Sequence, residues 1–278
     1  MRDELAFALE LADEADALAL RGFSRSPGPS PGREAFTKAD GTLVTETDRL
    51  IEATLRERIA ARFPEHSVFG EEGGGPAAAA GSGAPCWIID PIDGTNNFAW
   101  GIPIFGSLIA LAVDGEVAVG VASAPALGER YWAALGERAF MNGSPISVST
   151  VPSVSEGRLV FATWEEWVQA GLAGAWGDLL ARCKRSRGFG DFWAHMLVAR
   201  GAADAMAEPE LELWDVAALI PIVTEAGGRI TDFAGQPLRA VPGKTSCLTT
   251  NGRLHAEILQ GIGTGSAVGH TEASAPID

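Results

Sequence analysis

Cysteine is scarce in this chain: 278 residues carry three, Cys86, Cys183 and Cys247. They lie far apart and form no Cys-x-x-Cys pair, which argues against a disulfide framework and fits reduced thiols that pack, as in a cytoplasmic protein. Basic charge is also in short supply, with 21 Lys and Arg against 36 Asp and Glu and a net charge of −15. Counterion-release binding needs a basic surface, so neither nucleic acid nor an anionic membrane is an expected partner. No apolar run approaches the length of a membrane span. The first twenty residues, MRDELAFALELADEADALAL, are acidic and amphipathic and lack the basic region and cleavage site of an export signal. What remains is an ordinary globular balance, 46% hydrophobic and 21% charged, in a chain long enough for one large domain or two intimately packed lobes.

Periodicity lays out the elements. Leu5, Leu9, Ala12, Ala15 and Ala19 predict an amphipathic helix over residues 3–21, ended by Gly22 and followed by a Pro/Gly/Ser loop at 22–33. The string FTKADGTLVTETD (36–48) reads as a hairpin leading into a helix from Asp48 to Phe63, with Thr47 or Asp48 as N-cap. A short strand from His66 to Phe69 ends in Gly70-Glu71-Glu72, and the Gly/Ala-rich stretch 73–85 reads as a flexible loop. Strands at Ile104–Val113 and Glu116–Ser123 are joined by Asp114-Gly115, a strong hairpin signal, and more strands are expected at 130–135 and 139–141. From Gly157 strands at 158–162, Arg185, 204–207, Arg229 and Cys247 alternate with helices at 164–182, 191–200 and 214–226. Pro221 predicts a kink in the last of these helices and Gly227-Gly228 its C-cap. The alternation predicts an α/β second lobe (146–262) behind an α+β first lobe (1–145), with a frayed tail at 263–278. Trp164, Trp167 and Trp176 suit either a core or an interface.

Chemistry is expected at Trp87–Phe98, WIIDPIDGTNNF. An apolar run leads into two aspartates three apart and a Gly-Thr turn, so Asp90 and Asp93 stand where a buried strand ends. Pro91 keeps Asp90 out of helical geometry, and Gly94 allows a backbone shape that other residues resist. Two ionised aspartates at one point repel, and a shared hard cation with oxygen ligands relieves the repulsion, Mg²⁺ before Zn²⁺ because no Cys or His lies nearby. A strand ending in an Asp-Pro turn with a capping Asp is the plainer reading of the same residues. Asp215, after Trp214 at a predicted helix start, is likewise either a helix-dipole acid or a fourth carboxylate of the cluster.

The string DPIDGTNNF resembles the first signature of the inositol monophosphatase superfamily, a group of Mg²⁺-dependent, lithium-sensitive phosphatases. The Gly-Glu-Glu at 70–72 upstream and WDVAALIPIVTEAGG at 214–228 downstream occur in the order that family requires. The resemblance implies a layered αβαβα sandwich, with an antiparallel-sheet N-terminal lobe packed on an α/β C-terminal lobe, and a homodimer. It implies up to three Mg²⁺ ions: one held by Glu71, Asp90 and the Ile92 carbonyl, a second by Asp90, Asp93 and Asp215, and a third by Glu71 again. It assigns water activation to Glu71 with Thr95, whose hydroxyl Asp48 would orient. The Gly94 and Thr95 amides would cradle the phosphate of a small phosphorylated metabolite, with Asp93 and Asp215 beside it. Lys38 matches a basic position near the metals, and Glu72 is either a supporting acid or a solvated charge.

For the substrate, Glu208 lies seven residues before Asp215 and matches an acid that contacts substrate hydroxyls in inositol phosphatases. The stretch GFGDFWAH from Gly188 departs from the small residues of the inositol type. Asp191 after Gly190, between Phe189 and Phe192-Trp193, resembles the histidinol-phosphate phosphatase branch, and Leu219 points the same way. Asp191 and Glu208 together suit an imidazole and an ammonium, charges that an inositol ring lacks. Inositol 1-phosphate or a broad range of sugar phosphates is the alternative substrate class. Few basic residues beyond Arg185 and Arg187 are available for a second phosphate, which disfavours a nucleotide bisphosphatase. A metal- or phosphate-ligand-binding protein without catalysis is the non-enzymatic alternative, and the completeness of Glu71, Asp90, Asp93, Thr95 and Asp215 argues against it.

Overall fold

The computed structural model describes residues 1–24, 35–38, 43–75 and 84–265. A helical hairpin, α1 (Arg2–Gly22) with α2 (Glu46–Arg62), opens the fold around the short antiparallel ribbon β1 (Ala35–Thr37) and β2 (Leu43–Thr45). Of the apolar positions that predicted α1, Ala12, Ala15 and Ala19 are buried and Leu5 and Leu9 partly so. They pack with Ile51, Leu55 and Ile59 of α2 on one face of the first sheet.

That sheet runs in the order β3 (Ser67–Gly70), β4 (Cys86–Asp93), β5 (Gly106–Val113), β6 (Glu116–Ala124), β7 (Glu129–Ala134), β8 (Phe140–Met141) and β9 (Ser144–Pro145). Only β3 and β4 pair in parallel; the rest is an antiparallel meander. Every residue of β4 is buried, as expected for a strand covered on both faces. Its side chains alternate: Trp87 and Ile89 join the α1/α2 core, whereas Cys86 and Ile88 join a core with Phe192, Leu219 and Ile222.

The second sheet has the order β11 (Arg185–Gly188), β10 (Arg158–Phe161), β12 (Ala205–Leu211), β14 (Thr245–Thr250) and β13 (Arg229–Thr231). The β10 pairings are parallel and the β14 pairings antiparallel. Between the sheets lie α6 (Asp191–Ala199), α7 (Leu213–Val216) and α8 (Leu219–Glu225), and outside the second sheet α5 (Ala173–Arg182) and α9 (His255–Gly265) close the stack. The result is the expected αβαβα sandwich.

Four sequence expectations need correction. The helix at 164–182 is two, α4 (Trp164–Gln169) and α5, divided at Gly171, whose φ of 70° no helix accommodates. The helix at 214–226 is also two: the interruption that Pro221 predicts falls at Ala217-Ala218, where the Ala217 carbonyl lacks the amide that residue 221 would supply and takes the Ile220 amide at 3.3 Å instead, and Pro221 itself is in the first turn of α8. The N-cap of α2 is Thr45 instead of Thr47 or Asp48, and Asp48 is the third-residue acid of a capping box with it. The chain after Gly94 forms a short helix, α3 (Thr95–Trp100), instead of a polar turn. Parts of the anticipated loops at 22–33 and 73–85, and most of the tail from 263, lie outside the described residues; α9 carries helix as far as Gly265. Trp167 and Trp176 are buried and stacked with ring centroids 4.6 Å apart, so they are core, while Trp164 is 41% exposed.

Candidate active site

Residues three apart on a regular strand face opposite sides of the sheet, which would separate Asp90 from Asp93. The register prevents this. Asp90 pairs with Leu108 and Asp93 with Gly106, three steps on β4 against two on β5, and this bulge returns both carboxylates to one side. Gly94 follows with φ 81°, and a Cβ there would lie 3.0 Å from the Ile104 carbonyl oxygen. Only glycine turns the chain here without strain, and it delivers Thr95 to the start of α3.

Asp215 reaches the same point from the other side of the middle layer. A capping box holds it: Glu212 Oε accepts from the Asp215 amide while Asp215 Oδ2 accepts from the Glu212 amide at 2.7 Å. Oxygen atoms of Asp90, Asp93 and Asp215 lie within 4.8 Å of one another; the first two side chains are buried and the third partly so. Burial, and then the charge of neighbouring carboxylates, pushes Asp90 and Asp93 well above the usual carboxylate range, and burial pushes Asp215 up to about 8. Asp90 Oδ1 is buried with no hydrogen-bond donor. Protein donors therefore leave the cluster unsatisfied. Oxygen-only ligands, crowded and unneutralised, fit a hard divalent cation such as Mg²⁺.

Glu71 lines the same cavity from the turn after β3, where burial pushes it up to about 7. Lys38 Nζ contacts Glu71 Oε1 at 2.7 Å and Glu72 Oε1 at 2.6 Å, so this lysine is engaged with the acidic turn and is not a free surface charge. Thr95 Oγ1 donates to the Ile92 carbonyl at 2.9 Å and lies 3.3 Å from Asp48 Oδ1. Asp48 is fully buried behind it, its other oxygen taking the Thr45 amide at 2.9 Å and the Thr45 hydroxyl, and burial raises it to about 6. Asp48 does not line the cavity; it reaches it through Thr95.

The cavity encloses about 390 Å³. Its far end is built by the second sheet and the middle layer. Asp191 follows Gly190 (φ 81°) and itself has φ 53°, an uncommon shape that aspartate tolerates better than most residues. Its carboxylate accepts from Asn97 Nδ2 at 2.9 Å, and the next amide, of Phe192, approaches Asp93 Oδ1 at 3.3 Å. Burial pushes Asp191 up to about 7 and Glu208 up to about 8. Gly190 itself does not line the cavity. Sequence reasoning missed Glu166, Glu210, His195 and Asn97. Glu166 in the first turn of α4 lines the cavity, and burial followed by the Glu208 charge raises it to about 7. Among the described residues no Lys or Arg lines this cavity, and eight carboxylates do: Glu71, Asp90, Asp93, Glu166, Asp191, Glu208, Glu210 and Asp215.

A five-layer αβαβα sandwich with buried carboxylates meeting between its sheets defines a phosphoric monoester hydrolase of the metal-dependent kind. The sequence model described as the inositol monophosphatase family matches residues 1–264, and the chain belongs to that family. The histidinol-phosphatase of Mycobacterium tuberculosis is 42% identical over 268 residues, covering 95% of this chain and 99% of the relative. Human inositol monophosphatase 1 is 35% identical, covering 77% of this chain and 79% of its own length. Among solved structures, a Thermotoga maritima IMPase superimposes with a TM-score of 0.83 at 30% identity, over 95% of this chain and 98% of that one.

Proposed function

We propose that this chain is a Mg²⁺-dependent phosphatase that hydrolyses histidinol phosphate. The observation that carries the substrate is the surplus of acid at the far end of the cavity. Four carboxylates suffice for the metals; Glu210 is paired with Lys244 Nζ at 2.5 Å, and Asp191, Glu166 and Glu208 remain there with no Lys or Arg paired to them among the described residues. An inositol ring offers nothing to neutralise these charges. The ammonium and imidazole of histidinol do, through charge-assisted hydrogen bonds worth about twice a neutral one. The 42% identity to a histidinol-phosphatase supports the same substrate.

In this reading Glu71, Asp90, the Ile92 carbonyl, Asp93 and Asp215 hold up to three Mg²⁺ ions. Bound Mg²⁺ offsets the charge of the ester and acidifies a water molecule. The chain's own residues do the rest. Thr95 Oγ1, fixed between the Ile92 carbonyl and Asp48, orients the water, and Glu71 Oε receives its proton. The Gly94 and Thr95 amides at the start of α3 hold phosphate oxygens; the water attacks in line with inversion at phosphorus, the P–O bond to the alcohol opposite it breaks, and the leaving alcohol oxygen takes a proton from solvent water. No side chain becomes phosphorylated, so an acid-quenched reaction should contain no phospho-aspartate. A homodimer is the assembly we expect, and light scattering would measure it. Activity with Mg²⁺ on histidinol phosphate and inositol 1-phosphate tests the whole reading: kcat/KM should favour the first, and a tenfold or greater preference for the second would end it.

A further inference from the structure

His195 is the buried histidine of α6, and both of its ring nitrogens are engaged. Nε2 lies 2.7 Å from Glu208 Oε2, and Nδ1 lies 2.7 Å from Thr249 Oγ1. Thr249 is on β14, and its hydroxyl in turn lies 3.9 Å from the thiol of Cys247, the residue paired with Glu208 across the sheet. No other hydrogen bond to the Glu208 side chain is present among the described residues, and both Glu208 and His195 line the cavity. Burial pushes the imidazole down to about 3, so it is neutral and carries one N–H. Burial raises Glu208 to about 8, and a cationic amine beside it favours the ionised form; with Glu208 so ionised, that proton is on Nε2, Nδ1 accepts from the Thr249 hydroxyl, and the thiol can donate to the threonine oxygen. Every donor in the file Cys247, Thr249, His195 then points toward Glu208.

We propose that His195, anchored by Thr249, is a positioning residue for substrate selectivity: it fixes Glu208 through Oε2 and leaves Oε1 to take a cationic amine of the substrate. The inference rests on the functional reading above and adds to it. Glu208 is on a bulged stretch of β12, where three steps from Glu208 to Leu211 match two on β14 and Pro209 removes a ladder donor, so the backbone alone holds the carboxylate loosely. Its charge is felt at Asp93, Asp191, Asp215 and Glu166. Without the imidazole N–H, Glu208 would turn away from these acids and from the amine. A leucine of similar bulk would fill the core as well as histidine, but it would give the carboxylate no donor.

The test compares the wild type with His195→Leu, His195→Gln and Thr249→Val, each with Mg²⁺, on histidinol phosphate and inositol 1-phosphate, alongside thermal melts. His195→Leu and Thr249→Val should lower the ratio of kcat/KM for histidinol phosphate over inositol 1-phosphate about tenfold, the worth of a charge-assisted hydrogen bond, mainly through KM for the cationic ester. His195→Gln should recover most of the ratio, because its amide can donate to Glu208 and accept from Thr249. A folded His195→Leu with an unchanged ratio overturns the inference, as does equal loss on both substrates tracking a lowered melting temperature. If His195→Leu fails to fold, the near-isosteric Thr249→Val carries the same test. A wild type that shows no preference for histidinol phosphate overturns the functional reading first, a result distinguishable from either of these.

Discussion

The carboxylate of Glu52, on α2, accepts the backbone amide of Glu72 at 2.7 Å, and its second oxygen accepts the amide of Gly73 at the same distance. Glu52 is buried and paired with Arg56, whose guanidinium also reaches the Gly74 carbonyl. The turn that presents Glu71 is thus clamped to a helix twenty residues earlier. Gly70 lets the chain pass so close that a Cβ there would be 2.6 Å from Glu52 Oε1. Glu52→Ala should cost about 1–3 kcal/mol for each orphaned amide and release Glu71, so that Mg²⁺-stimulated turnover falls further than the melting temperature alone explains. Glu52→Gln, which retains one acceptor oxygen, should fall between the two. Activity of Glu52→Ala equal to wild type at a temperature where both are folded would remove the clamp from the account.

Asp93→Asn tests the cation cluster in both directions. Removing one charge from three crowded carboxylates should raise the melting temperature of the metal-free protein, since like charges out of water oppose folding. The same change should abolish most of the stabilisation that Mg²⁺ gives the wild type and lower turnover by about 100-fold or more. A variant that keeps its Mg²⁺-dependent shift in melting temperature would place the cation elsewhere.

Stability against pH follows from Glu71, Glu208 and Asp215, which burial raises to about 7, 8 and 8. In the unfolded chain such groups ionise near pH ~4. Between that pH and about 8 the folded state holds protons that the unfolded state has lost, so stability falls as pH rises through this window. The metal-free melting temperature should therefore drop from pH 5 to pH 8. With saturating Mg²⁺ the slope should flatten, because the cation binds the ionised form and displaces the protons. A metal-free melting temperature that climbs over this range would contradict the burial of these acids.

How much of this was legible in the sequence divides by range. The DPIDGT string and the Gly-Glu-Glu stand where apolar runs stop, and the Trp-Asp stands at a helix start, so each of these carboxylates carried a local signal. The bulge that brings Asp90 and Asp93 to one face was not legible, since it is defined by the register with β5. Glu52 and His195 carry no local signal on their predicted helices; only tertiary contacts with Glu72 and Glu208 reveal them. Pro221 marked the interruption, which falls at Ala217, four residues before it, but not that two separate helices would result.

Asp191 offers the sharpest separation of substrate recognition from fold. Its backbone has φ 53°, which asparagine also tolerates, and its carboxylate accepts from Asn97, a bond that an asparagine carbonyl can keep. Asp191→Asn therefore removes a charge and little else. Beside Glu208 and Asp93 that loss relieves repulsion, so the metal-free protein should be no less stable than wild type. For histidinol phosphate the missing charge-assisted contact should raise KM about tenfold, while KM for inositol 1-phosphate, which brings no cation, should hold or fall. Steady-state kinetics on both esters decides it: an equal rise for both would make Asp191 a scaffold for the phosphate end of the site and take it out of cation recognition.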